Sequence, residues 1–249
     1  MDSGRRKPKV AIVHDWLNTR GGAERVAVAL QKAFPDAPIY TSIYEPSLFP
    51  ELEDVTVHTT WLQRLPRPIR RLHKLFPVLR VWAFRSLDLS DYDIIISSSS
   101  AESKQVKKRQ DAIHICYCHT PIRYYWNMYD EYRKNPPFGK LNPIIKPIIP
   151  PFVRWMRRLD YKAAQNVDYF IANSNEVKSR IEQYYNKDSI VIHPPVDTAR
   201  FANLPKLEQR EGYIALGRQE PYKRIDLAVM ACTKLNLPLT VYGRGSEHA

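Results

Sequence analysis

The chain has 249 residues, of which 44% are apolar and 26% are charged, as is ordinary for a globular protein. Its three cysteines, Cys116, Cys118 and Cys232, come without a secretory signal, which indicates thiols in a reducing compartment and excludes a disulfide scaffold. No apolar run approaches the length needed to span a bilayer, so we expect a cytoplasmic protein that is peripheral to the inner face of the cell membrane.

Positive charge exceeds negative charge by 12, the pI is about 9.6, and the excess falls in two stretches rich in large apolar residues. These stretches are residues 61–85 and 134–158. Cations mixed with Trp, Phe, Leu and Ile favour an anionic membrane surface, where each near-surface cation contributes about 1 kcal/mol. The same positive charge would also favour binding to nucleic acid. A third interpretation is a solvated, basic helix face whose apolar side lies in the core. We favour the membrane surface and do not expect nucleic acid as a partner.

The amino-terminal residues predict a strand, a glycine pair and a helix. Residues 10–13 are apolar without alternation, as expected for a strand buried on both faces of a parallel sheet. Gly21 and Gly22 follow, and residues 23–34 then carry apolar side chains at helical spacing as far as Pro35. Strand, Gly-Gly loop and helix form the first half of a nucleotide- or phosphate-binding crossover. The alternative is that the glycines only make a tight turn.

Strands and helices continue to alternate along the chain. The predicted strands are residues 38–44, 55–58, 92–100, 112–119, 167–172 and 189–193, and the predicted helices are residues 155–166 and 175–185. This alternation predicts an α/β fold with a Rossmann-like parallel sheet. Ser174 precedes the second of these helices and is predicted to be its N-cap.

One histidine is predicted to contact a substrate. His119 lies at the carboxyl end of the strand at residues 112–119. Ligands of open parallel sheets bind outside the carboxyl ends of the strands. We therefore favour a substrate contact for His119 over a histidine that is merely hydrogen-bonded within its loop.

Two groups of residues resemble metal ligands, but neither predicts a metal site. Alternation places His114, Cys116 and Cys118 on one face of a buried strand, and three ligands on adjacent rungs with no distant partner make a poor tetrahedron. Asp91 and Asp93 form an Asp-x-Asp pair, but they precede their strand and so lie at the edge of the sheet away from the ligand side. We expect no metal.

A second anion-binding pattern lies near the end of the chain. Residues 213–216 predict a strand that stops at Gly217, and residues 224–231 predict a helix. The first N–H groups of a helix have no partner within it, and the helix dipole adds positive potential. Arg218 and Lys223 add two cations at the same point. This combination suits a substrate with more than one phosphate, such as the diphosphate of a nucleotide-sugar.

The chain predicts two domains of unequal size. Residues 1–205 hold repeating strand–helix units that form one plausible Rossmann-like domain. Residues 206–249 contain only two strands and one helix, too little to bury a core of their own. We therefore interpret residues 206–249 as the opening unit of a second, incomplete domain.

Motifs along nearly the whole chain are similar to those of one enzyme family. In chain order they are residues 10–17 (VAIVHDWL), 21–24 (GGAE), 37–41 (APIYT), 88–93 (DLSDYD), 114–121 (HICYCHTP), 171–174 (IANS), 193–197 (HPPVD), and 217–218 with 223. They resemble those of family 4 glycosyltransferases, in particular the mannosyltransferase-like enzymes that build O-antigen and related cell-surface polysaccharides.

The resemblance implies a GT-B architecture, in which two Rossmann-like domains face each other across a cleft. The amino-terminal domain of such enzymes takes the acceptor, often a lipid-linked glycan. The carboxyl-terminal domain takes the nucleotide-sugar, a GDP- or UDP-sugar. Transfer of the hexose retains the anomeric configuration without an obligatory metal, and no cofactor is implied.

The resemblance also implies roles for individual residues. Arg218, Lys223 and Gly217 match the donor diphosphate site, Gly21 and Gly22 match the loop where the backbone approaches donor and acceptor, and His119 matches a histidine near the reacting sugar. His119 is then the candidate catalytic residue. Stabilising the charge that develops on the departing nucleoside diphosphate is the main catalytic task of such a site.

The chain departs from the family pattern at its carboxyl end. The family carries a Glu-x7-Glu element later in the second domain, and this sequence stops at Ala249 before any such element. We therefore expect a truncated glycosyltransferase with weak donor binding and little or no turnover. The alternative function is that of a non-catalytic acceptor domain that binds a membrane or a partner.

Overall fold

The computed structural model describes residues 6–71, 76–134, 139, 142–202, 211–220 and 223–245. The chain forms two compact units, Met1–Val196 (unit 1) and Asp197–Ala249 (unit 2). The sequence-predicted domain boundary at residue 205 falls in residues 203–210, which lie outside the described residues. Parts of the two basic stretches, residues 72–75, 135–138, 140 and 141, also lie outside them.

Unit 1 is built on a parallel sheet of seven strands in the order β3-β2-β1-β4-β5-β6-β7. The strands are β1 Val10–His14, β2 Ile39–Thr41, β3 Val57–Thr59, β4 Ile94–Ser99, β5 Ile113–Cys118, β6 Tyr169–Ala172 and β7 Ser189–Val191. The α/β class with a Rossmann-like parallel sheet, predicted from the sequence, is confirmed.

The helices of unit 1 connect these strands. They are α1 Gly22–Ala33, α2 Arg67–Arg71, α3 Pro77–Arg85, α4 Tyr129–Lys134, α5 Asn142–Ile145, α6 Ile149–Gln165 and α7 Asn175–Tyr185, and 3-10 turns occupy Pro46–Leu48, Pro50–Leu52, Trp61–Arg64 and Ser103–Gln105. Helix α7 has the predicted bounds, and the Ser174 hydroxyl accepts the N–H of Val177 as its predicted N-cap. Helix α6 begins six residues before the predicted start, because its prolines occupy the first turn, where their missing N–H groups are not needed.

Apolar side chains cover both faces of strand β1. Ile12 packs in one cluster with Ile39 of β2 and Val28 of α1. Val13 points to the opposite face and packs in a second cluster with Phe84 of α3. Burial on both faces explains why the β1 sequence shows no apolar–polar alternation.

Two ion pairs are buried in unit 1 where the chain leaves β4, at residues 100–105, here called the polar segment. Arg80 of α3 forms a bidentate pair with Glu102, with Nε–Oε2 at 2.6 Å and Nη2–Oε1 at 2.9 Å. The Lys104 Nζ lies 2.6 Å from Oδ1 of Asp160 on α6. All four side chains are at most 2% exposed. These pairs join α3 and α6 to the end of β4.

Aromatic side chains also donate to the carboxylates of the two pairs. The Tyr124 hydroxyl donates to Glu102 Oε1 at 3.1 Å. The Trp126 Nε1–H and the Tyr185 hydroxyl both donate to Asp160 Oδ2 at 2.8 Å. Buried charges are tolerated when hydrogen bonds of this kind accompany the ion pair.

Unit 2 contains a parallel pair of strands and one longer helix among its described residues. Its elements are α8 Ala199–Ala202, β8 Tyr213–Leu216, α9 Ile225–Lys234 and β9 Leu239–Tyr242. Gly243, directly after β9, has φ +137°, and a Cβ at this position would clash with the carbonyl oxygen of Gly217. A side chain at residue 243 is therefore excluded by both its backbone conformation and the close approach of the two strand ends.

Replacing Glu102 by Gln should lower the free energy of unfolding of unit 1 by about 3–5 kcal/mol, because Arg80 is then buried without its counter-charge. All five tryptophans of the chain lie in unit 1, so their fluorescence during urea unfolding measures this loss. The matched control is Asp36→Asn, which removes the partner of Lys7 in a largely exposed pair and should change stability little. Equal losses for the two variants would contradict a structural role of the buried pair.

Candidate functional site

The strand order of unit 1 reverses at β1, which lies between β2 and β4. Ligands of open parallel sheets bind at the carboxyl ends of the strands at such a switch point. His14 ends β1 and lies opposite Ser98 near the end of β4. His119 follows β5, and its N–H donates to the carbonyl oxygen of Ser99 at 2.8 Å. The switch point thus brings His14, Ser98 and His119 together at one edge of the sheet.

Asp15 follows β1 and holds the polar segment in place. Its Oδ2 accepts the N–H groups of Ser100 and Ala101 at 2.6 and 2.9 Å, and its Oδ1 accepts the N–H of Ser103 at 2.8 Å. Burial raises the pKa of Asp15, but the attraction of His14 and the hydrogen bonds from the segment outweigh burial, so that the pKa lies below its usual value. Asp15 is a buried carboxylate whose oxygens are already engaged by the segment.

A single serine hydroxyl lies between the two histidines. The His14 Nδ1 lies 3.2 Å from the Ser98 carbonyl oxygen and 3.1 Å from Ser98 Oγ. The same Oγ lies 2.8 Å from His119 Nε2. The Asn173 amide donates to the His119 carbonyl oxygen at 3.0 Å, which fixes the backbone after β5. His119 is therefore held on its backbone and on its ring.

Both histidines are held neutral near pH 7. Burial, followed by the nearby ring of His14, lowers the pKa of His119 to about 4. Burial also lowers the pKa of His14, although Asp15 and Glu24 oppose this shift. Neutral imidazoles at the switch point suit hydrogen bonding to an uncharged ligand group.

The Gly21–Gly22 loop opens helix α1. Gly21 is the N-cap and has an extended backbone with φ −141°, so its conformation does not require glycine. A Cβ at Gly21 would lie 2.8 Å from Oε2 of the buried Glu24, whose Oε1 accepts the Thr19 hydroxyl at 3.2 Å. A Cβ at Gly22 would meet no described heavy atom within 4 Å apart from its chain neighbours and the backbone of its own helix. Gly21 thus makes room for a carboxylate, and Gly22 leaves one side of the α1 N-terminus open.

The residues that resembled metal ligands have other contacts. The His114 Nε2 lies 2.8 Å from the Ser97 hydroxyl, while Cys116 and Cys118 pack in an apolar cluster. Burial raises the pKa of Cys116 to about 12, so its thiol stays protonated. Asp93 accepts the Lys9 N–H at 2.8 Å at the amino-terminal edge of the sheet and also pairs with arginines.

Unit 2 contains the three residues predicted to hold a diphosphate. Gly217 directly follows β8, and its N–H donates to the Tyr242 carbonyl oxygen at 3.0 Å. A Cβ at Gly217 would meet no described heavy atom within 4 Å apart from its two chain neighbours. Arg218 and Lys223 are exposed, and Lys223 precedes the N-cap of α9 by one residue. Pro221 and Tyr222, between them, lie outside the described residues.

Helix α9 begins with an ion pair that the sequence analysis did not include. Its N-cap, Arg224, has a left-handed backbone with φ 50°. The Arg224 guanidinium donates to the Asp226 carboxylate at 3.0–3.2 Å. Asp226 lies in the first turn, where a carboxylate is favoured by the helix dipole. A phosphate at this helix N-terminus would lie near that carboxylate.

Sequence reasoning assigned a role to His119 but none to His14, Asp15 or Ser98. A signal was present, since polar residues end two neighbouring apolar strands, with His14 and Asp15 after one and serines 97–100 at the end of the other. What was missing was the strand order, which alone shows that these ends are adjacent.

Comparison with known proteins identifies the family. The sequence profile described as Glycosyltransferase Family 4 matches residues 20–200, which is more than half of the chain. The chain therefore belongs to the family 4 glycosyltransferases. No curated protein matches it.

Two solved structures share the fold of this chain. One is HepE (Alr3699) from Anabaena, in complex with UDP and glucose, with 16% identity and a TM-score of 0.57, covering 94% of this chain and 60% of the other. A second is the lipopolysaccharide outer core galactosyltransferase WaaB in its apo form, with 14% identity and a TM-score of 0.52, covering 96% and 62%. The present chain thus spans about three fifths of the length of these two neighbours.

Replacing Asp15 by Asn should destabilise unit 1 by about 2–3 kcal/mol. The NH2 group of the amide would then face backbone N–H groups whose hydrogen bonds the carboxylate had accepted. Urea unfolding followed by tryptophan fluorescence measures the change. The control is Asp54→Asn on the exposed surface, which should leave stability nearly unchanged. If Asp15→Asn were as stable as the wild type, the carboxylate would not be what holds the polar segment.

Proposed function

We propose that this chain is part of a retaining glycosyltransferase that moves a hexose, of mannose type, from a GDP- or UDP-sugar to a glycan or lipid-linked acceptor. The proposal depends chiefly on the arrangement of Gly217, Arg218 and Lys223. The chain that contains them belongs to a glycosyltransferase family. Gly217 directly follows a parallel strand, Arg218 comes next, and Lys223 precedes the following helix. This strand–glycine–helix arrangement is typical of phosphate binding.

The proposed chemistry requires charge stabilisation more than any other contribution. A departing nucleoside diphosphate gains negative charge as the glycosidic bond breaks, and preorganised cations and N–H groups are effective against such charge. Arg218 and Lys223 supply the cations, and the open backbone of Gly217 allows close approach of a phosphate. With both cations in place the proposed reaction needs no metal ion and no further cofactor.

Unit 1 has a different task in the proposed reaction. His119 and the Gly21–Gly22 loop follow β5 and β1, two strands of the same sheet whose carboxyl ends lie at the same edge. His119 is neutral near pH 7 and so contributes a hydrogen bond, not a charge. We assign unit 1 to the acceptor and to the hydroxyl groups of the reacting sugar.

Arg218→Ala and Lys223→Ala should each weaken binding of UDP-glucose or GDP-mannose by about ten- to a hundredfold, because each removes a charge-assisted contact to the diphosphate. Isothermal titration of the intact chain with each nucleotide-sugar, and with UDP alone, measures this loss.

The matched control for the diphosphate test is Lys234→Ala. Lys234 is an exposed cation in the last turn of α9, at the end of the helix that the dipole makes negative. If Lys234→Ala weakens binding equally, the effect reflects the net charge of the chain and not a specific site at Arg218 and Lys223. Unchanged binding of UDP in the Arg218 and Lys223 variants would contradict the diphosphate role.

A second candidate function is that of a membrane- or partner-binding domain without catalysis, and helix α6 favours its membrane form. The outward face of α6 carries Arg154, Arg158 and Lys162 together with Trp155 and Tyr161, which are 43% and 39% exposed. The acidic residue of α6 is buried and paired inside unit 1. Cations interleaved with exposed aromatic rings suit an anionic lipid surface.

Attachment of this kind would be peripheral. Within the described ranges, no helix is both long enough and apolar enough to cross a bilayer. A peripheral position would bring the chain to a lipid-linked acceptor, so membrane binding is compatible with both candidate functions. Nucleotide-sugar binding distinguishes them, since only the transferase requires it.

Replacing Arg154, Arg158 and Lys162 by Gln should reduce binding to vesicles that contain anionic lipid by more than tenfold at 0.1 M salt, since each near-surface cation contributes about 1 kcal/mol. Vesicle co-sedimentation measures this, with neutral vesicles as a reference. A control variant with Arg25, Lys32 and Lys107 replaced loses the same charge from exposed positions outside α6. Equal losses, or tighter binding to duplex DNA than to lipid, would contradict the membrane assignment.

A further inference from the structure

The contacts of the Ser98 carbonyl group determine where the hydrogens lie in the His14–Ser98–His119 network. A carbonyl oxygen can only accept a hydrogen bond. His14 Nδ1 lies 3.2 Å from the Ser98 carbonyl oxygen, inside the buried edge of the sheet. An unprotonated Nδ1 would place two lone pairs against each other at this distance. His14 therefore has its proton on Nδ1.

The direction of the remaining hydrogen bonds follows from this proton. His14 Nδ1–H also faces Ser98 Oγ at 3.1 Å, so the hydroxyl oxygen accepts from His14. A serine hydroxyl oxygen can accept two hydrogen bonds, but its own hydrogen also needs an acceptor. The described residues offer Ser98 Oγ one further partner, His119 Nε2 at 2.8 Å, and we take the hydroxyl to donate to it. A nitrogen that accepts this hydrogen bond has no proton of its own, and a neutral His119 must have its proton on Nδ1.

We propose that Ser98 is a positioning residue that holds His119 as the Nδ1–H tautomer, so that His119 donates a hydrogen bond from Nδ1 to an oxygen of the bound ligand. The hydrogen bonds that described residues make to His119 involve its Nε2, its carbonyl oxygen and its backbone N–H, and none of them involves Nδ1. The inference rests on the proposed transferase function in one respect only, since that function identifies the ligand oxygen as a sugar hydroxyl. In this arrangement His119 is a hydrogen-bond donor and does not accept a proton at Nε2.

The surroundings of His119 favour its neutral form. Burial and His14 lower its pKa to about 4, while Asp15 opposes the shift. The titratable or charged groups around His119 and the residues that it contacts are His14, Asp15 and Glu24 near β1, Tyr117 on β5, Arg180 on α7 and His193 after β7. Arg180 donates to the Thr120 hydroxyl at 3.3 Å and so lies on the same side as the loop after β5.

The adjacent serine offers a matched control. The Ser97 hydroxyl lies 2.8 Å from Nε2 of His114, the same separation as between Ser98 and His119. Burial lowers the pKa of His114 to about 4 as well. Ser97 and Ser98 are therefore two buried serines on one strand, each with its own histidine.

The first test is the tautomer of His119 in the intact chain. Long-range ¹H–¹⁵N spectra of the ¹⁵N-labelled protein separate Nδ1–H, Nε2–H and charged imidazoles, and His119→Gln and His114→Gln assign two of the seven histidines. We expect His119 to be neutral with Nδ1 protonated at pH 7 and to charge only near pH 4. An Nε2–H tautomer, or a charged ring at pH 6, would overturn the proposal.

The second test removes each serine hydroxyl in turn. Ser98→Ala should allow His119 to take up the Nε2–H tautomer and raise its pKa by about one unit, because a hydrogen bond to the neutral form is lost. Ser97→Ala should shift His114 and leave His119 unchanged, and Ser98→Thr should restore the Nδ1–H tautomer. Equal effects of the two alanine variants on His119 would contradict the proposal.

The proposal on the His119 tautomer and the proposed transferase function are contradicted by different results. Nδ1–H on His119 without any nucleotide-sugar binding would support the positioning role and count against the transferase. Nucleotide-sugar binding with Nε2–H on His119 would count against the positioning role alone.

Discussion

The two buried ion pairs of the polar segment, Glu102 with Arg80 and Lys104 with Asp160, determine the path of the chain after β4. A buried charge without its partner is costly, so residues 100–105 are confined to the arrangement in which both pairs form. Asp15 accepts the N–H groups of the segment in that same arrangement. Ser98 lies two residues before the segment on the same strand end, and the position of its hydroxyl between the two histidines therefore depends on charges that contact no ligand.

The two units differ in the chemistry that they offer. Unit 1 presents neutral imidazoles and an open glycine at the edge of a well-packed sheet, whereas unit 2 presents exposed cations at a strand end and a helix start. Sugar hydroxyls are uncharged and need placed donors and acceptors, while a diphosphate needs positive charge. The proposed division of acceptor and donor between the units follows this difference. Asp226, in the first turn of α9, reduces the positive potential at that helix start.

Sequence reasoning succeeded where local patterns determine the structure. Helix α7 has both a side-chain N-cap at Ser174 and a left-handed C-cap at Asn186, so its bounds can be read from the sequence. The buried parallel strands were visible as apolar runs. Glu102 and Lys104 could not be predicted as buried, because charged residues after a strand usually lie in solvent and their partners are 22 or more positions away. The serine between two histidines depends on strand order, which no local pattern contains.

The polar segment also has a consequence for folding kinetics. Asp15 and Ser103 are 88 positions apart in sequence, and Arg80 and Glu102 are 22 apart. Contacts between distant positions require large loops to close, which makes parallel sheets of this kind slow to fold. Interactions that form only after the folding transition state slow unfolding without accelerating folding. We therefore expect the segment to act mainly on the lifetime of folded unit 1, so that the histidine network, once assembled, persists through many cycles of ligand binding and release.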